Sequence, residues 1–336
     1  MSALSAASEV MQGVIVPEDI VQVSTGARAI LGNTGLINGC YHIGAMVYLA
    51  GQIDPEQALA LLTEERRVAG KKPRTSVLSA YPSYLGQLVE TGLRLGYKPR
   101  DFGLERIFSG GEIVTEGLRN RWRELFGDVR YIGSYGMTET IPFVGTVCSD
   151  GHMHFEATPG MLEVLSTDTG APAGPGEAGT MVATPFMPYR YTTVLLRYDT
   201  QDVVMPIAGP LTCSMRTHQA TTELLGKLRL SVRHDDGWTY PRDVLEALEA
   251  VDEVPLPARC GFSAAQGGVA VEVVVREDTP QARRTIGESL EARGVPVRDL
   301  RLVDDPADLR QPFPLRCDLR ELSFSVPAGA REEGTE

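Results

Sequence analysis

The sequence has no long hydrophobic run, no excess of basic residues and few cysteines, and each absence excludes a class of protein. No stretch approaches the roughly 18 apolar residues that a membrane span requires. The formal net charge of −12 argues against a broad surface for nucleic acid or anionic membrane. The five cysteines are odd in number and far apart, so we expect no disulfide framework. An anionic ligand would therefore need a local pocket of hydrogen-bond donors.

The first residues, MSALSAASEVMQ, lack the basic and apolar regions of a secretory signal peptide. We therefore expect a cytoplasmic protein without nucleic-acid or membrane partners. With 43% hydrophobic and 23% charged residues, the composition is that of an ordinary globular chain, and a length of 336 residues favours about two domains.

Short apolar strands alternate with longer helices in the N-terminal part of the chain. Strands are predicted near residues 17–25, 75–79, 104–108 and 129–132. Helices are predicted near residues 84–95 and 114–126, and another begins at Asp54-Pro55. This alternation predicts a layered α/β domain with a largely parallel sheet, in which ligands bind beyond the carboxyl ends of the strands.

From about residue 150 the sequence changes to short strands separated by turns rich in glycine and proline. It predicts a β-rich subdomain with strands at 161–165, 180–184 and 193–198, followed by a small α+β lobe. We divide the chain into an α/β domain with its β-rich subdomain over 1–225, the α+β lobe over 226–326, and a disordered acidic tail over 327–336.

Polar turns containing glycine follow two of the predicted strands. Gly110, Gly111 and Glu112 follow the strand at 104–108, and Ser134, Tyr135, Gly136, Thr138 and Glu139 follow the next one. Backbone N–H groups and the Thr138 hydroxyl can donate to phosphate oxygens, and Glu139 can hold a Mg²⁺ ion. Taken alone, the same residues also suit an ordinary turn.

Six sequence elements occur in an order that is more specific than any one of them. They are DIVQVS followed by GLINGCYHIGA, then AYPSYL, FSGGE, GSYGMTE, LEVLSTDTGAPAGPGEAGTMVAT and LLRYDTQDVV. Over about residues 17 to 250 they resemble the motifs of the adenylate-forming enzymes, in particular the phenylacetate–CoA ligase-like branch. The resemblance implies the layered α/β fold of that superfamily and an AMP-forming acid–thiol ligase.

The resemblance also implies roles for individual residues. Thr138 would contact a phosphate, Glu139 would bind Mg²⁺, and Asp202 would accept hydrogen bonds from the ribose hydroxyls. The other implied nucleotide-binding positions are Gly110, Gly111, Glu112, Ser134, Tyr135 and Gly136, and the implied acyl-pocket positions are His42, Tyr81, Phe108 and, again, Tyr135. Judged from the residues alone, His42 lies on an apolar helical face and is either a hydrogen-bonded core histidine or a pocket wall.

The implied reaction joins a carboxylic acid and ATP into an acyl-adenylate and pyrophosphate. A thiol, either CoA or a carrier protein, then takes the acyl group. Catalysis of this kind depends mainly on positioning and charge stabilisation.

A zinc cluster found in some members of the same branch provides a further resemblance. Cys148, His154 and Cys213 match it loosely, and His152 or His218 could supply a fourth ligand to a tetrahedral Zn²⁺ ion. Separated cysteines and histidines of this kind also occur without any metal.

Three departures from the family pattern affect the expected activity. The Gly/Ser/Thr-rich phosphate loop, expected before Asp19, has no counterpart, so we expect a chain shortened at its N-terminus. The hinge, G-R-x-x-D in the family, is Gly226-Lys227-Leu228-Arg229-Leu230 and lacks the aspartate. No lysine follows Lys227, and the stretch 310–316, where the family has an activating lysine, offers Arg316 instead.

These matches and departures leave three hypotheses open. The first is a ligase of secondary metabolism for a small aromatic or hydrophobic acid, because Tyr81, Phe108 and Tyr135 are aromatic. Such a ligase would act as a homodimer or with a partner chain that supplies the phosphate loop. The second is a degenerate homologue that binds a nucleotide or an acid without adenylating it. The third is an enzyme that uses the acyl pocket for different chemistry on a preformed thioester or adenylate.

Overall fold

An eight-stranded sheet is the framework of the α/β domain. The computed structural model describes residues 14–26, 30–235 and 237–317. Parallel strands occur in the order β5-β4-β3-β1-β2: β1 (Ile20–Ser24), β2 (Met46–Leu49), β3 (Val77–Ala80), β4 (Arg106–Gly110) and β5 (Arg130–Tyr135). The sheet continues past β5 with the antiparallel strands β6 (Gly145–Val147), β7 (His152–Phe155) and β11 (Gln219–Thr222). The predicted parallel sheet is confirmed, although β2 was not among the predicted strands.

Helices lie on both faces of this sheet. One face carries α1 (Ile30–Ile43), and the other carries α2 (Pro55–Thr63), α3 (Pro82–Arg94) and α4 (Glu116–Phe126). The carboxylate of Asp54 accepts hydrogen bonds from the first turn of α2, and the Thr115 hydroxyl caps α4 in the same way. Among the described residues, no helix is both long enough and apolar enough to cross a membrane.

The β-rich subdomain contains a second, antiparallel sheet in the order β12-β10-β9-β8. Its strands are β8 (Gly160–Ser166), β9 (Gly179–Pro185), β10 (Tyr198–Val204) and β12 (Gly226–Lys227). The strand predicted at 193–198 was wrong over most of its length, because β10 begins only at Tyr198. Thr193 and Arg197 have φ values of 51° and 48°, in the left-handed region that interrupts a strand.

The α+β lobe has its own hydrophobic cluster, in which Val244, Val271 and Ile286 are fully buried. It contains β13 (Val232–His234), β14 (Gly237–Thr239), α5 (Pro241–Leu248), β15 (Cys260–Ala265), β16 (Gly268–Val274), α6 (Pro280–Ala292) and β17 (Val297–Val303). Residues 309–317, called the C-terminal segment below, follow the last strand and are attached to the lobe where Phe313 N donates to Cys260 O. The tail predicted over 327–336 lies outside the described residues.

Polar contacts hold the lobe against α3 and α4 of the α/β domain. Glu90 of α3 accepts hydrogen bonds from Leu256 N at 2.9 Å and from the Arg276 guanidinium at 2.7 and 2.8 Å. On α4, the N-cap hydroxyl of Thr115 donates to the buried carboxylate of Glu249. These contacts set the position from which the C-terminal segment reaches the edge of the main sheet.

Candidate functional site

The carboxyl ends of β3, β4 and β5 meet at one edge of the main sheet. The register pairs Gly110 with Ser134, so the two predicted glycine turns lie side by side. A Cβ atom on Gly110 would lie 2.2 Å from the Ser134 carbonyl oxygen, and only glycine permits this approach. The structure therefore brings both predicted turns to a single site.

Tyr81 and Gly111 form one wall of this site. Tyr81 is the N-cap residue of α3, and Gly111 has a φ of +81°, which glycine adopts most readily. A Cβ atom at position 111 would lie 3.1 Å from the Tyr81 ring, so the backbone passes directly beside that ring. The Tyr81 ring and the backbone of the glycine turn are therefore in contact, and together they form one continuous surface against which a planar group can lie.

The Glu112 carboxylate is used by the protein itself. It accepts hydrogen bonds from Ser83 N at 2.8 Å, from the Ser83 hydroxyl at 2.9 Å and from the backbone N of Arg316. Burial raises the pKa of this carboxyl, and those hydrogen bonds oppose the rise. Glu112 thus caps α3 and holds the C-terminal segment, while its backbone remains part of the glycine turn.

Asp202 of β10 is the buried carboxylate of the site, with an exposed fraction of 3%. Its Oδ2 accepts from the Tyr135 hydroxyl at 2.8 Å and from Lys227 Nζ at 2.9 Å. Burial raises the pKa of Asp202, and the Lys227 ammonium, the Tyr135 hydroxyl and the Arg316 guanidinium oppose the rise. Within the described part of the chain Oδ1 receives no hydrogen bond, so it can accept from a ligand hydroxyl.

Thr138 and Glu139 lie in the turn after β5, where Thr138 is exposed and Glu139 is half-buried. The Arg190 guanidinium supports this turn by donating to Thr138 O at 3.1 Å and to Ile141 O at 2.6 Å. The Glu139 carboxylate has no hydrogen bond or ion pair among the described residues. A hydroxyl and an unengaged carboxylate at the same turn suit a phosphate and its Mg²⁺ ion.

Two of the predicted pocket residues lie elsewhere. His42 is exposed in the last turn of α1, which leads to the start of β2 and thus to the amino edge of the sheet. It is therefore at the opposite edge from Gly110 and Ser134. The Phe108 side chain packs in the cluster beneath α1, on the other face of the sheet from Tyr84 and α3. Of the predicted aromatic residues, the structure brings only Tyr81 and Tyr135 to the site.

Sequence reasoning gave no role to Lys227 or to two buried glutamines of the α/β domain. Lys227 lies directly opposite Asp202 in the pairing of β12 with β10, and its ammonium forms an ion pair with that carboxylate. The only indication of this role in the sequence was that Lys227 lies in the hinge motif. Gln22 lies in the middle of β1 and Gln52 follows β2; both are buried, and each has a side-chain atom without a hydrogen-bond partner. A glutamine within the otherwise apolar strand IVQVS was the corresponding sequence indication.

The predicted metal-ligand residues cluster beside β7. Cys213 Sγ lies 3.3 Å from His154 Nε2, and the ligand atoms of Cys148, His152 and His154 lie within 4.8 Å of one another. Cys148 and Cys213 form a similar group with Asp150. The Nδ1 atoms of both histidines are buried without a hydrogen-bond partner. Two thiols and two imidazoles fit the donor set that Zn²⁺ prefers.

Comparison with solved structures identifies the fold. 2-Hydroxyisobutyryl-CoA ligase, solved in its postadenylation state with R3-HIB-AMP, matches with a TM-score of 0.73 and 21% identity; the match covers 92% of this chain and 67% of that one. A benzoate CoA ligase from Burkholderia xenovorans LB400 matches with a TM-score of 0.63 and 17% identity, over 90% of this chain and 62% of that one. The chain thus spans about two thirds of the length of these ligases.

No curated protein sequence matches the chain. The model of the AMP-binding enzyme family matches residues 11–184, which is more than half of the 336 residues. This match includes the glycine turns at the sheet edge and ends before Asp202. The predicted layered α/β fold with a β-rich subdomain and a small α+β lobe is confirmed by the ligase structures. The chain belongs to the AMP-binding enzyme family.

Proposed function

We propose that the protein is an AMP-forming acid–thiol ligase of the phenylacetate–CoA ligase-like branch. The observation that carries the proposal is the buried Asp202 carboxylate, which leaves Oδ1 open beside the glycine turns. A buried carboxylate is costly unless it is paired or binds a ligand, and a ribose diol offers two donors to such a group.

The site suits a nucleotide along its whole length. Asp202 would accept from the ribose, and the backbone at Gly110 and Gly111 would contact the adenine. Thr138 and the N–H groups of its turn would donate to the phosphates, with Glu139 as the ligand of a Mg²⁺ ion that neutralises phosphate charge. Tyr135 would hold Asp202 in place through its hydroxyl, whose pKa is raised mainly by burial, so that it remains a donor at neutral pH.

The acid would lie beyond the phosphate turn, near Tyr81. Tyr81 and Tyr135 support a small aromatic or hydrophobic acid, as the sequence suggested, while His42 and Phe108 have no part in this pocket. CoA, or the thiol of a carrier protein, is the proposed acceptor, in line with the CoA ligases of the same fold.

Turnover with ATP, Mg²⁺ and a panel of small aryl and alkyl acids tests this proposal. The expected result is pyrophosphate that appears only when an acid is present, and AMP that is released when CoA is added to accept the acyl group. Binding of AMP without turnover on any acid would instead support the alternative of a non-adenylating homologue or of a subunit that needs a partner chain for the phosphate loop. Turnover of a preformed acyl thioester, but not of ATP, would support different chemistry in the acyl pocket.

We also propose a structural Zn²⁺ ion at Cys148, His154 and Cys213, with His152 as the fourth ligand. His152 is favoured over His218 because one of its ring nitrogens lies in the same cluster as ligand atoms of Cys148 and His154. When bound, the metal would join β7 to the loop that carries Cys213. This link would stabilise the antiparallel end of the main sheet.

Elemental analysis tests the zinc proposal. The purified protein is expected to contain about one equivalent of zinc per chain, and Cys213→Ser to contain less than half of that. Cys317→Ser is the matched control, because Cys317 lies outside the cluster, and it is expected to retain the metal. A folded wild-type protein free of zinc would contradict the proposal.

A further inference from the structure

Arg190 lies in the connection between β9 and β10, and its guanidinium contacts the turn after β5. Nη1 donates to Thr138 O at 3.1 Å and to Ile141 O at 2.6 Å. Nε donates to Thr192 O and to Thr193 O, both at 3.1 Å. The residue is half-buried, and within the described part of the chain it forms no ion pair. Four backbone carbonyl oxygens therefore fix the guanidinium between two separate segments of the chain.

The turn after β5 depends on Arg190 for two of its carbonyl oxygens. Thr140 is buried, and Thr140 N and Ile141 N both donate to Met137 O at 3.1 Å, which closes the turn internally. No backbone N–H of the described residues donates to Thr138 O or to Ile141 O. In this part of the structure, Arg190 is therefore the donor that holds these two oxygens.

The contact with Thr138 O sets the orientation of the peptide group between Thr138 and Glu139. This peptide is trans, so it is planar and its N–H points in the direction opposite to its C=O. Because the carbonyl is held toward Arg190, the Glu139 N–H is directed away from Arg190. This N–H makes no hydrogen bond with any described residue, so it is available to a ligand. A cation on the carbonyl also polarises the peptide and makes its N–H a stronger donor.

The connection that carries Arg190 has a strained backbone. Thr193 has a φ of 51°, in the left-handed region that a β-branched residue rarely adopts. Such a conformation costs about 1–3 kcal/mol and persists only where surrounding contacts enforce it. The hydrogen bond from Arg190 Nε to Thr193 O is one such contact. The connection leads directly into β10, so Arg190 links the turn after β5 to the strand that carries Asp202.

We propose that Arg190 is a positioning residue that directs the Glu139 N–H toward the phosphate of the nucleotide, an inference that rests on the proposed function. The Thr138 hydroxyl and the Glu139 carboxylate belong to the same turn, so one contact positions the groups proposed for both the phosphate and Mg²⁺. Arginine suits this role because its planar guanidinium donates to several oxygens at fixed angles, which a lysine ammonium does not. Its charge, which no carboxylate of the described residues pairs with, also favours an anionic group at the turn.

A comparison of AMP with adenosine tests the assignment, because the two ligands differ only in the phosphate. In calorimetric titrations of the full chain, wild type is expected to bind AMP more tightly than adenosine. Arg190→Ala is expected to weaken AMP binding by about tenfold, because the turn no longer presents its donors to the phosphate. Adenosine binding is expected to stay unchanged, whereas a purely structural role would weaken the binding of both ligands.

Chemical rescue provides a second readout. Guanidinium chloride, at concentrations far below those that unfold proteins, is expected to restore part of the AMP affinity of Arg190→Ala. The comparison is made with the same concentration of sodium chloride, which is expected to restore none. If Arg190→Ala does not fold, Arg190→Lys takes its place and is expected to show a smaller loss, again for AMP alone.

Arg197→Ala is the matched control, since Arg197 lies at the end of the same connection and pairs with Glu163 at 3.0 Å. It is expected to bind both ligands as wild type does. If the Arg190 variant keeps the wild-type preference for AMP over adenosine, or loses both ligands equally, the positioning role is overturned and the proposed nucleotide site stands. Equal binding of AMP and adenosine by wild type would overturn that role as well. If wild type binds neither ligand, the proposed function is overturned and the role of Arg190 with it.

Discussion

Replacing Asp202 with asparagine is expected to weaken AMP binding by about 10- to 100-fold while the protein remains folded. A hydrogen bond to a charged group contributes about 1.5–3 kcal/mol, and asparagine keeps the shape of aspartate but not its charge. The loss should appear for adenosine as well, because the ribose is common to both ligands.

Calorimetric titration of the variant with AMP measures the loss, and thermal unfolding checks the fold. Asp199→Asn is the matched control: Asp199 lies on the same strand, is exposed, and accepts from Gln201 N at 2.9 Å. It is expected to bind AMP as wild type does. If Asp202→Asn binds AMP with unchanged affinity, Asp202 has no role in binding the ribose.

The stability of the protein is expected to fall between pH 5 and pH 8 because of one buried carboxyl, Glu249. Burial raises its pKa from 4.5 to about 7, and the carboxylates of Glu246 and Glu112 add to the rise. The Thr115 hydroxyl and Ala258 N, which donate to Glu249, oppose it. Glu249 joins α5 to the N-terminus of α4, so its ionisation acts on the contact between the lobe and the α/β domain.

The sign follows from the direction of the shift. A carboxyl whose pKa is higher in the folded state binds a proton more tightly there, so its stabilising effect is fully present below pH 4.5 and is lost as the pH rises through about 7. A shift of this size corresponds to a loss of about 3 kcal/mol in the free energy of unfolding. Glu249→Gln removes the ionisation; its amide oxygen can still accept from Ala258 N, and its amide N–H can donate to the Thr115 hydroxyl oxygen.

Urea unfolding at pH 5 and pH 8 measures this effect. The free energy of unfolding of wild type is expected to fall more steeply over this interval than that of Glu249→Gln, by up to about 3 kcal/mol. Taking the difference between the two proteins removes the contribution of the other titrating groups. Equal slopes for both proteins would show that Glu249 does not ionise in this range.

The sheet and its ligand-binding edge could be predicted because local patterns determine both. Alternating strands and helices imply parallel strands, whose carboxyl ends meet at one edge, so Gly110 and Ser134 were expected to be neighbours. The register of β4 and β5 confirms this. The caps at Asp54 and Thr115 likewise depend only on residues within one turn of the helix.

The location of His42 depended on an element that was not predicted. Without β2, the apolar segment after β1 had no defined direction, and only the resemblance to the ligase motifs implied that its histidine lies in the pocket. With β2 parallel to β1, helix α1 must return the chain to the amino edge of the sheet, and His42 lies near the end of that helix. Because this strand of four residues was not predicted, the position that the resemblance implied for His42 could not be checked from the sequence.

The setting of Arg316 could not be predicted because its partners are far away in the sequence. The backbone contact between Arg316 and Glu112 spans 204 residues and depends on how the lobe packs against α3. Sequence comparison could note only that an arginine stands in a stretch where a lysine was expected. The packing of Gly86 against Pro257, where a Cβ atom would lie 2.7 Å from the proline nitrogen, is one of the close contacts that fix the lobe.

Acid-dependent release of pyrophosphate from ATP tests the central claim most directly. The wild-type chain is assayed with ATP and Mg²⁺, with and without an acid, which is either a simple aryl acid such as benzoate or a small hydroxy acid. It is expected to release pyrophosphate only when an acid is present. Asp202→Asn is expected to lose most of this activity, and Asp199→Asn to retain it. No acid-dependent pyrophosphate from a folded wild-type protein that binds AMP would contradict the ligase assignment and leave a nucleotide-binding protein.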